Sequence, residues 1–281
     1  PLSILPTLAM LEGFKGLRKV DVADTLQVPQ LKWSNKTNEW VPHEPESPDS
    51  IQIKKLTVFT LNIMKEQVDL VPRMDALVNE LKKCEPDIVA LQENKKTHNA
   101  LLMEAPYIRE RYYVSEFTGQ QYGFKVSLLS RFPLSSLTLY NVLSRQALVG
   151  SLVINDQTFA FGSTHLTSGN NPSRRENQIE FLYDKMKSYE NAMLVGDFNY
   201  CHSNDDTSDV HLRYDYEDCW PIINNTEGFT RHNKRIDRMY LRSDIARPMR
   251  MKVVAKGTVQ NAVQFKSISD HWGLCVTLKF A

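Results

Sequence analysis

Five apolar runs in this chain are bounded at one end by residues equipped for chemistry. Leu56-to-Leu61 ends in Asn62, Ile88-to-Leu91 runs into Gln92-Glu93, and Thr158-to-Phe161 leads through Gly-Ser-Thr to His165. Ala192-to-Val195 leads through Gly196 to Asp197-Phe198-Asn199, and Ser269-Asp270-His271 stands just before the last run, Leu274-to-Leu278. A lone Asn or Asp after a strand is ordinarily a turn former. Five such ends carrying different oxygen and imidazole groups read instead as side chains drawn to one edge of a packed scaffold. Asn62, Glu93, Asp197, Asn199 and Asp270 are hard oxygen donors, which suit Mg²⁺ or Mn²⁺ rather than zinc. His165 and His271 add groups that hydrogen-bond a phosphoryl oxygen or move a proton. A cation held by one or two carboxylates and several waters is the usual arrangement for attack on a phosphate ester. No Ser or Cys stands paired with a base in this set, which favours direct attack by water over a covalent intermediate.

The elements that must position these groups are mostly strands. Short β-branched and apolar runs recur at 56–61, 88–91, 126–129, 148–154, 158–161, 192–195, 239–241, 251–254 and 274–278. Helical spacing joins Val71, Met74, Leu77, Val78 and Leu81, and again Ile179, Leu182, Tyr183 and Met186 after a Ser173–Glu176 capping-box pattern. Strands outnumber helices without strict alternation. The expected fold class is therefore α/β with two packed sheets flanked by helices, not a doubly wound sheet or a TIM barrel. No G-x-G-x-x-G or Walker loop is present, which removes dinucleotide and P-loop chemistry.

Composition sets the outer bounds. With 281 residues, 42% of them hydrophobic and 24% charged, the chain has ample material for one large domain. Lys and Arg number 34 against 33 Asp and Glu, so any polyanion site must be a local patch. No apolar run approaches the roughly 18 residues needed to cross a bilayer, so no integral membrane segment is expected. Cys84, Cys201, Cys219 and Cys275 form no CxxC pair and read as free thiols of a reducing compartment, nucleus or cytoplasm. The first residue is Pro1, which reads as a processed chain or a piece of a longer one; the apolar Leu2-to-Leu11 run reads as a packing helix or the remnant of a targeting sequence. Residues 1–50 end in a Pro- and acid-rich stretch and read as an amino-terminal extension and linker, with Trp33 and Trp40 docking onto the main body, residues 51–281. Arg174, Arg175, Lys234, Arg235 and Arg238 lie near His165 and Asp237 in sequence and are candidates for nucleic acid phosphates. Tyr200, Trp220 and Phe229 are candidates for stacking on a base or a leaving tyrosine.

Thr60-Leu-Asn62, Leu91-Gln-Glu93, Leu129-Ser-Arg-Phe-Pro133, Thr164-His-Leu166, Gly196-Asp-Phe-Asn199, Arg235-Ile-Asp237 and Ser269-Asp-His-Trp-Gly273 occur in the order of a known motif set. Across residues 56–280 the chain resembles the endonuclease/exonuclease/phosphatase superfamily, and within it most resembles the 5′-tyrosyl-DNA phosphodiesterases. Leu61-Asn62 stands where that group has Trp-Asn, and Tyr200-Cys201 where it has Leu-Arg. The resemblance implies a deoxyribonuclease I-like four-layer α/β sandwich and a Mg²⁺-dependent phosphodiesterase, with Mn²⁺ as the other candidate ion. It implies a monomer acting on nucleic acid, at DNA 5′ ends, in DNA repair. By the same resemblance Glu93 holds the metal, with Asn62 beside it and Asp270 supporting the metal or its waters. Asp197 aligns or deprotonates the attacking water, Asn199 holds the phosphoryl group, and His271, paired with Asp237, stabilises the developing charge while His165 contacts the same phosphate. Ser168, Arg174, Arg175, Tyr200 and Arg238 fall to substrate contact. Another phosphoester of the superfamily (an abasic site, RNA, an inositol phosphate or sphingomyelin) is the alternative substrate, and a catalytically idle scaffold the alternative outside enzymology.

Overall fold

The central strands are apolar and buried almost without interruption, so each sheet has two greasy faces, and both must be covered. A computed structural model describes residues 25–43, 49–115, 125–200 and 208–281. The Leu2-to-Leu11 run, residues 44–48 of the Pro- and acid-rich stretch and Cys201 fall outside these residues. The described chain begins with β1 (Thr25–Gln27), β2 (Gln30–Ser34), β3 (Glu39–His43), β4 (Ser50–Ile51), β5 (Lys55–Asn62), α1 (Leu70–Cys84) and β6 (Ile88–Asn94). It continues through α2 (Lys96–Glu104), α3 (Pro106–Arg111), β7 (Tyr113–Ser115), β8 (Lys125–Ser130), β9 (Ser136–Val142), β10 (Arg145–Ile154) and β11 (Gln157–His165). Next come α4 (Pro172–Met186), β12 (Asn191–Asp197), α5 (Ser208–Arg213), β13 (Glu217–Asp218) and α6 (Cys219–Ile223). The chain ends in β14 (Asp237–Arg242), β15 (Ala246–Val254) and β16 (Gly273–Phe280).

The strands form two mixed sheets. The first has the order β1-β9-β10-β11-β12-β14-β13 with β4 added beside β10; the second runs β15-β16-β5-β6-β8-β7-β2-β3. Between them lies a core that includes Val58, Ile88, Leu148, Phe159, Phe161, Met193 and Val276. Helix α1 covers the outer face of the second sheet with Met74, Leu77, Val78 and Leu81, and α4 covers the first with Ile179, Leu182, Tyr183 and Met186. The result is a four-layer α/β sandwich, with two packed sheets flanked by helices.

Three differences from the sequence reading have physical causes. Residues 25–43 are not an appended arm. Strand β1 pairs with β9 of the first sheet, β2 pairs with β7 of the second, and Gln30 exchanges two hydrogen bonds with Leu134, both 2.7 Å. The domain is thus under way by Thr25, and the boundary at residue 50 does not coincide with a break. Trp40 donates from Nε1 to the Met103 carbonyl at 3.1 Å, and Arg109 lies over Trp33 at 3.9 Å. Second, α4 has Asn171 rather than Ser173 at its N-cap position, with Pro172 in its first turn: proline has its φ preset for helix and starts it two residues early. Third, Val71 is 55% exposed because it occupies the first turn of α1, beyond the reach of the sheet.

The topology brings strand ends together. Strands β5 and β6 are parallel, as are β11 and β12, so each pair ends on the same side. Their antiparallel neighbours β16 and β14 begin there. In register, His165 stands opposite Asp197 and Asp197 opposite Asp237, three chemically active residues in one row across three strands. Gly196, just before this row, has φ +138°, and a Cβ there would sit 2.0 Å from the Thr164 carbonyl oxygen. Only glycine fits that approach. Gly196→Ala should therefore cost about 3 kcal/mol, in the range of forced overpacking. Urea unfolding measures it, and a loss within ~0.5 kcal/mol would show that the row tolerates displacement.

Candidate active site

The row at the end of β11, β12 and β14 meets residues from the second sheet. Asn62, the last residue of β5, donates from Nδ2 to Asp197 Oδ2 at 3.0 Å and accepts the Met64 amide on Oδ1 at 3.0 Å. Glu93 sits where β6 and β8 lose register, with φ 59°, a bulge that turns its carboxylate out of the ladder. Its Oε2 accepts the Lys65 amide at 2.8 Å, and its Oε1 lies 3.9 Å from His165 Nε2. The same His165 nitrogen lies 3.4 Å from Asp197 Oδ2. His271, from the loop before β16, places Nδ1 3.0 Å from Asp237 Oδ2 and Nε2 3.9 Å from Asp197 Oδ2. Asn199 has φ 54°, donates its amide to Asp197 Oδ1 at 2.9 Å and its Nδ2 to the Leu166 carbonyl at 3.0 Å. Six residues thus converge around one carboxylate, Asp197.

Burial gives these contacts their electrostatic weight. Burial alone would depress the His271 imidazole, but the Asp237 and Asp197 carboxylates outweigh it and hold the group up at about 9. At neutral pH His271 is a cation. Burial drives His165 the other way, to about 4, with Arg145, His271 and Lys65 adding to the effect against Asp197. Two imidazoles beside one carboxylate therefore carry different charges. Burial raises the Asp197 carboxyl, and nearby Asp237 pushes in the same direction against the two histidines.

Not every candidate residue joins this cluster. Asp270 makes an ion pair with Arg231 at 2.6 Å, while its charge still acts on His271. Arg175 is fully buried and donates to the Thr167 and Gly169 carbonyls at 3.0 and 2.7 Å; it holds the loop after His165 and has no face for a substrate. Tyr200 is buried at 8% exposure with its hydroxyl 3.0 Å from His211 Nε2. Arg238 donates to Asp218 at 2.9 Å and to the Arg235 carbonyl at 2.9 Å, and lies over the Tyr200 ring at 5.4 Å. Trp220 is buried with its Nε1 on the Thr226 carbonyl at 2.6 Å, whereas Phe229 is 37% exposed. Ser168 and Arg174 are exposed: Arg174 clasps the Leu143 carbonyl and Ser144 Oγ, both at 2.8 Å.

Two arginines that the motifs do not mark shape the site. Arg145 opens β10 after a two-residue turn, Leu143-Ser144, with both residues at positive φ (50° and 65°). It donates to Ser168 Oγ at 3.3 Å; burial lowers its pKa, while the field of Asp197 and Glu93 works to raise it. Arg145 thus brings positive charge to the acidic cluster. Arg73, fully buried on α1, donates to the carbonyls of Ile63, Met64, Glu66, Val68 and Ile268. It ties the loop after Asn62 to the loop that carries His271. The visible signal for Arg73 is its place on the apolar face of α1, four residues before Leu77 and eight before Leu81. Arg145 carries no such signal.

The donor set fits a hard divalent cation. Asp197, Asp237 and His271 each offer one ligand atom, all within 4.8 Å of one another, and Asp237 Oδ1 is buried without a hydrogen-bond partner among the described residues. Glu93 lies beside this group, with Oε1 3.9 Å from His165 Nε2.

The two histidines also shape stability. His271, raised in the fold, contributes stability that is complete below about pH 6.5 and is lost as pH rises through 9. His165, depressed in the fold, contributes stability that is complete above about pH 6.5 and falls as pH drops toward 4. These two groups alone place maximum stability near pH 6.5, and Asp237→Asn should flatten the alkaline side. Denaturant unfolding from pH 4 to 9.5 tests this; an alkaline fall unchanged by the substitution would contradict the pairing.

Comparison with known proteins agrees with this geometry. The Endonuclease/Exonuclease/phosphatase family matches residues 59–271. No curated protein sequence matches the chain. Among solved structures, D. rerio TDP2 complexed with single strand DNA product is similar at TM-score 0.68 and 20% identity, over 80% of this chain and 99% of that one. Truncated Caenorhabditis elegans TDP2 follows at TM-score 0.67 and 20% identity, over 81% and 98% of the two chains. An endonuclease/exonuclease/phosphatase family protein from Bacteroides thetaiotaomicron aligns at TM-score 0.67 and 17% identity, over 81% and 98%. With the sandwich, the motif order and the converged cluster in agreement, this chain belongs to the endonuclease/exonuclease/phosphatase family of metal-dependent hydrolases that act on phosphoester bonds.

Proposed function

We propose that this chain is a Mg²⁺-dependent phosphodiesterase acting at nucleic acid ends, with a 5′-tyrosyl DNA adduct as its substrate. The observation that carries the reading is the Asp197 carboxylate, held 3.0, 3.4 and 3.9 Å from Asn62, His165 and His271 where the two sheets meet. The likeness to D. rerio TDP2 complexed with single strand DNA product supports a nucleic acid substrate.

In this reading Glu93 holds the cation with Asn62 beside it. A bound divalent ion supplies Lewis-acid stabilisation of phosphoryl charge and lowers the pKa of its water. Asp197 aligns the attacking water and takes its proton; the burial that raises its carboxyl suits it to that task. His271, kept cationic by Asp237, faces the charge that builds on phosphorus as water adds. His165, kept neutral, offers a hydrogen bond to the same phosphate from the Glu93 side. Asn199 holds a phosphoryl oxygen, and Arg145 supplies a fixed positive charge beside the cluster. Ser168 accepts from Arg145, and Arg174 holds the turn that presents it.

The test is hydrolysis, with Mg²⁺, of two labelled single-stranded oligonucleotides, one with a 5′-phosphotyrosyl group and one with an abasic site. Release of tyrosine from the first alone, abolished in Glu93→Ala, is the expected result. Cleavage of the abasic strand alone would move the substrate to repair intermediates, and activity on neither would overturn the reading. Arg145→Ala should lower kcat/KM on the active substrate by about 10²-fold, the usual loss for one preorganised donor. A change below about threefold would remove Arg145 from the site.

A further inference from the structure

Asn199 has a backbone conformation that non-glycine residues seldom adopt, with φ 54°, and it keeps that conformation while its amide and side chain point in fixed directions. Such a residue persists only where its surroundings over-determine it. Both of its neighbours rest on one buried histidine. His211, on α5 and 3% exposed, places Nε2 3.0 Å from the Tyr200 hydroxyl and Nδ1 2.6 Å from the Tyr183 hydroxyl of α4. Its ring stacks on Tyr240 of β14 with centroids 3.6 Å apart and planes 8° from parallel. Phe198 packs against the same imidazole at 6.2 Å, against Tyr240 at 5.1 Å and against Tyr200 at 5.5 Å. The two aromatic side chains that flank Asn199 are thus gripped from below by a single platform built from α4, α5 and β14.

We propose that His211 is a positioning residue for Asn199, acting through its hydrogen bond to Tyr200 and its contact with Phe198. As far as turnover is concerned, this rests on the phosphodiesterase reading; as far as the Asn199 backbone is concerned, it does not. Burial pushes the His211 imidazole down to about 3, so it is neutral across the physiological range. One ring nitrogen then donates and the other accepts, and the two tyrosines take complementary roles. A hydrophobic residue of similar size would keep the stacking on Tyr240 but remove the hydrogen bond between His211 and the Tyr200 hydroxyl. The chain carries Tyr200 directly after Asn199, so any movement of Tyr200 passes to Asn199 through one peptide unit.

Two substitutions separate the two ring nitrogens. His211→Gln keeps a polar group where Nε2 stood, facing Tyr200; His211→Asn keeps one where Nδ1 stood, facing Tyr183. The readouts are kcat and KM on a p-nitrophenyl phosphodiester with Mg²⁺, and amide hydrogen exchange of the peptide spanning 197–200. His211→Asn should lower kcat by about 10- to 100-fold, the size of effect expected of a misplaced group, with KM unchanged, and should speed exchange at Asn199. Tyr200→Phe should reproduce it. His211→Gln should stay within about threefold of the parent in both readouts. If the Asn and Gln variants behave alike, whether both intact or both equally impaired, His211 is a packing residue only and the proposal fails. If the parent protein hydrolyses no phosphodiester, the proposed function fails, while the exchange measurement still decides what His211 does.

Discussion

Two buried aspartates set the terms of this structure. Asp197 and Asp237 stand directly opposite each other in register on β12 and β14, one 1% exposed and the other 0%. Carboxylates taken out of water need partners, and removing a partner from such a pair costs several kcal/mol, about 3–5. Neither strand can supply one. The Asn199 amide and His165 of β11 reach Asp197 from the same sheet, and the other partners come from the second sheet: Asn62 from the end of β5, and His271 from the loop before β16. The way the two sheets pack is therefore constrained by polar chemistry at this end as well as by the apolar core between them. Gln92 of β6 adds a bond to Ser163 of β11 at 3.2 Å, one layer beneath the cluster. Arg73 locks the two loops that deliver Asn62 and His271 by donating to carbonyls of both.

The same region carries several strained backbone positions. Met64, Glu93 and Asn199 have positive φ, Gly196 is pressed against Thr164, and the turn that presents Arg145 has two non-glycine residues in the left-handed region. Each would cost about 1–3 kcal/mol on its own. Such costs are tolerated where the neighbours leave no alternative: the β6 bulge is pinned by the Lys65 amide on Glu93, and the Leu143-Ser144 turn is clasped by Arg174. Strain and buried charge together mark this edge of the sandwich as the place where folding stability gives way to function.

Much of this was readable before any coordinates, for a definite reason. A strand of the core must be apolar until it leaves the core, so the first polar residue after a run such as Ala192-to-Val195 marks the sheet edge, and the residue type there is free to serve chemistry. That reasoning reaches Asn62, Glu93, His165, Asp197 and His271. It does not reach the arginines, because an arginine that neutralises carbonyls in the interior and one that waits for a phosphate in solvent are the same letter. Arg175 next to Arg174 looks like a basic pair; in the fold one is 0% exposed and the other faces water. Arg145 escaped because β9 is studded with Ser, Thr, Tyr and Asn, and its turn lacks the usual Asn-Gly or Gly signal. The strands β1 to β3 escaped because strands at or next to a sheet edge need not be apolar, and next to a proline-rich stretch such short runs look like linker.

The central claim is that this site directs one water at a phosphorus atom in a single displacement, with no residue of the chain bonded to the phosphate on the way. Stereochemistry at phosphorus tests it most directly. A phosphodiester substrate made chiral with sulfur and hydrolysed in ¹⁸O-labelled water would give a product whose configuration is inverted after one displacement. Inversion is the predicted result. Retention would mean two displacements through an enzyme-bound phosphate, most simply on the neutral imidazole of His165, and would contradict the account.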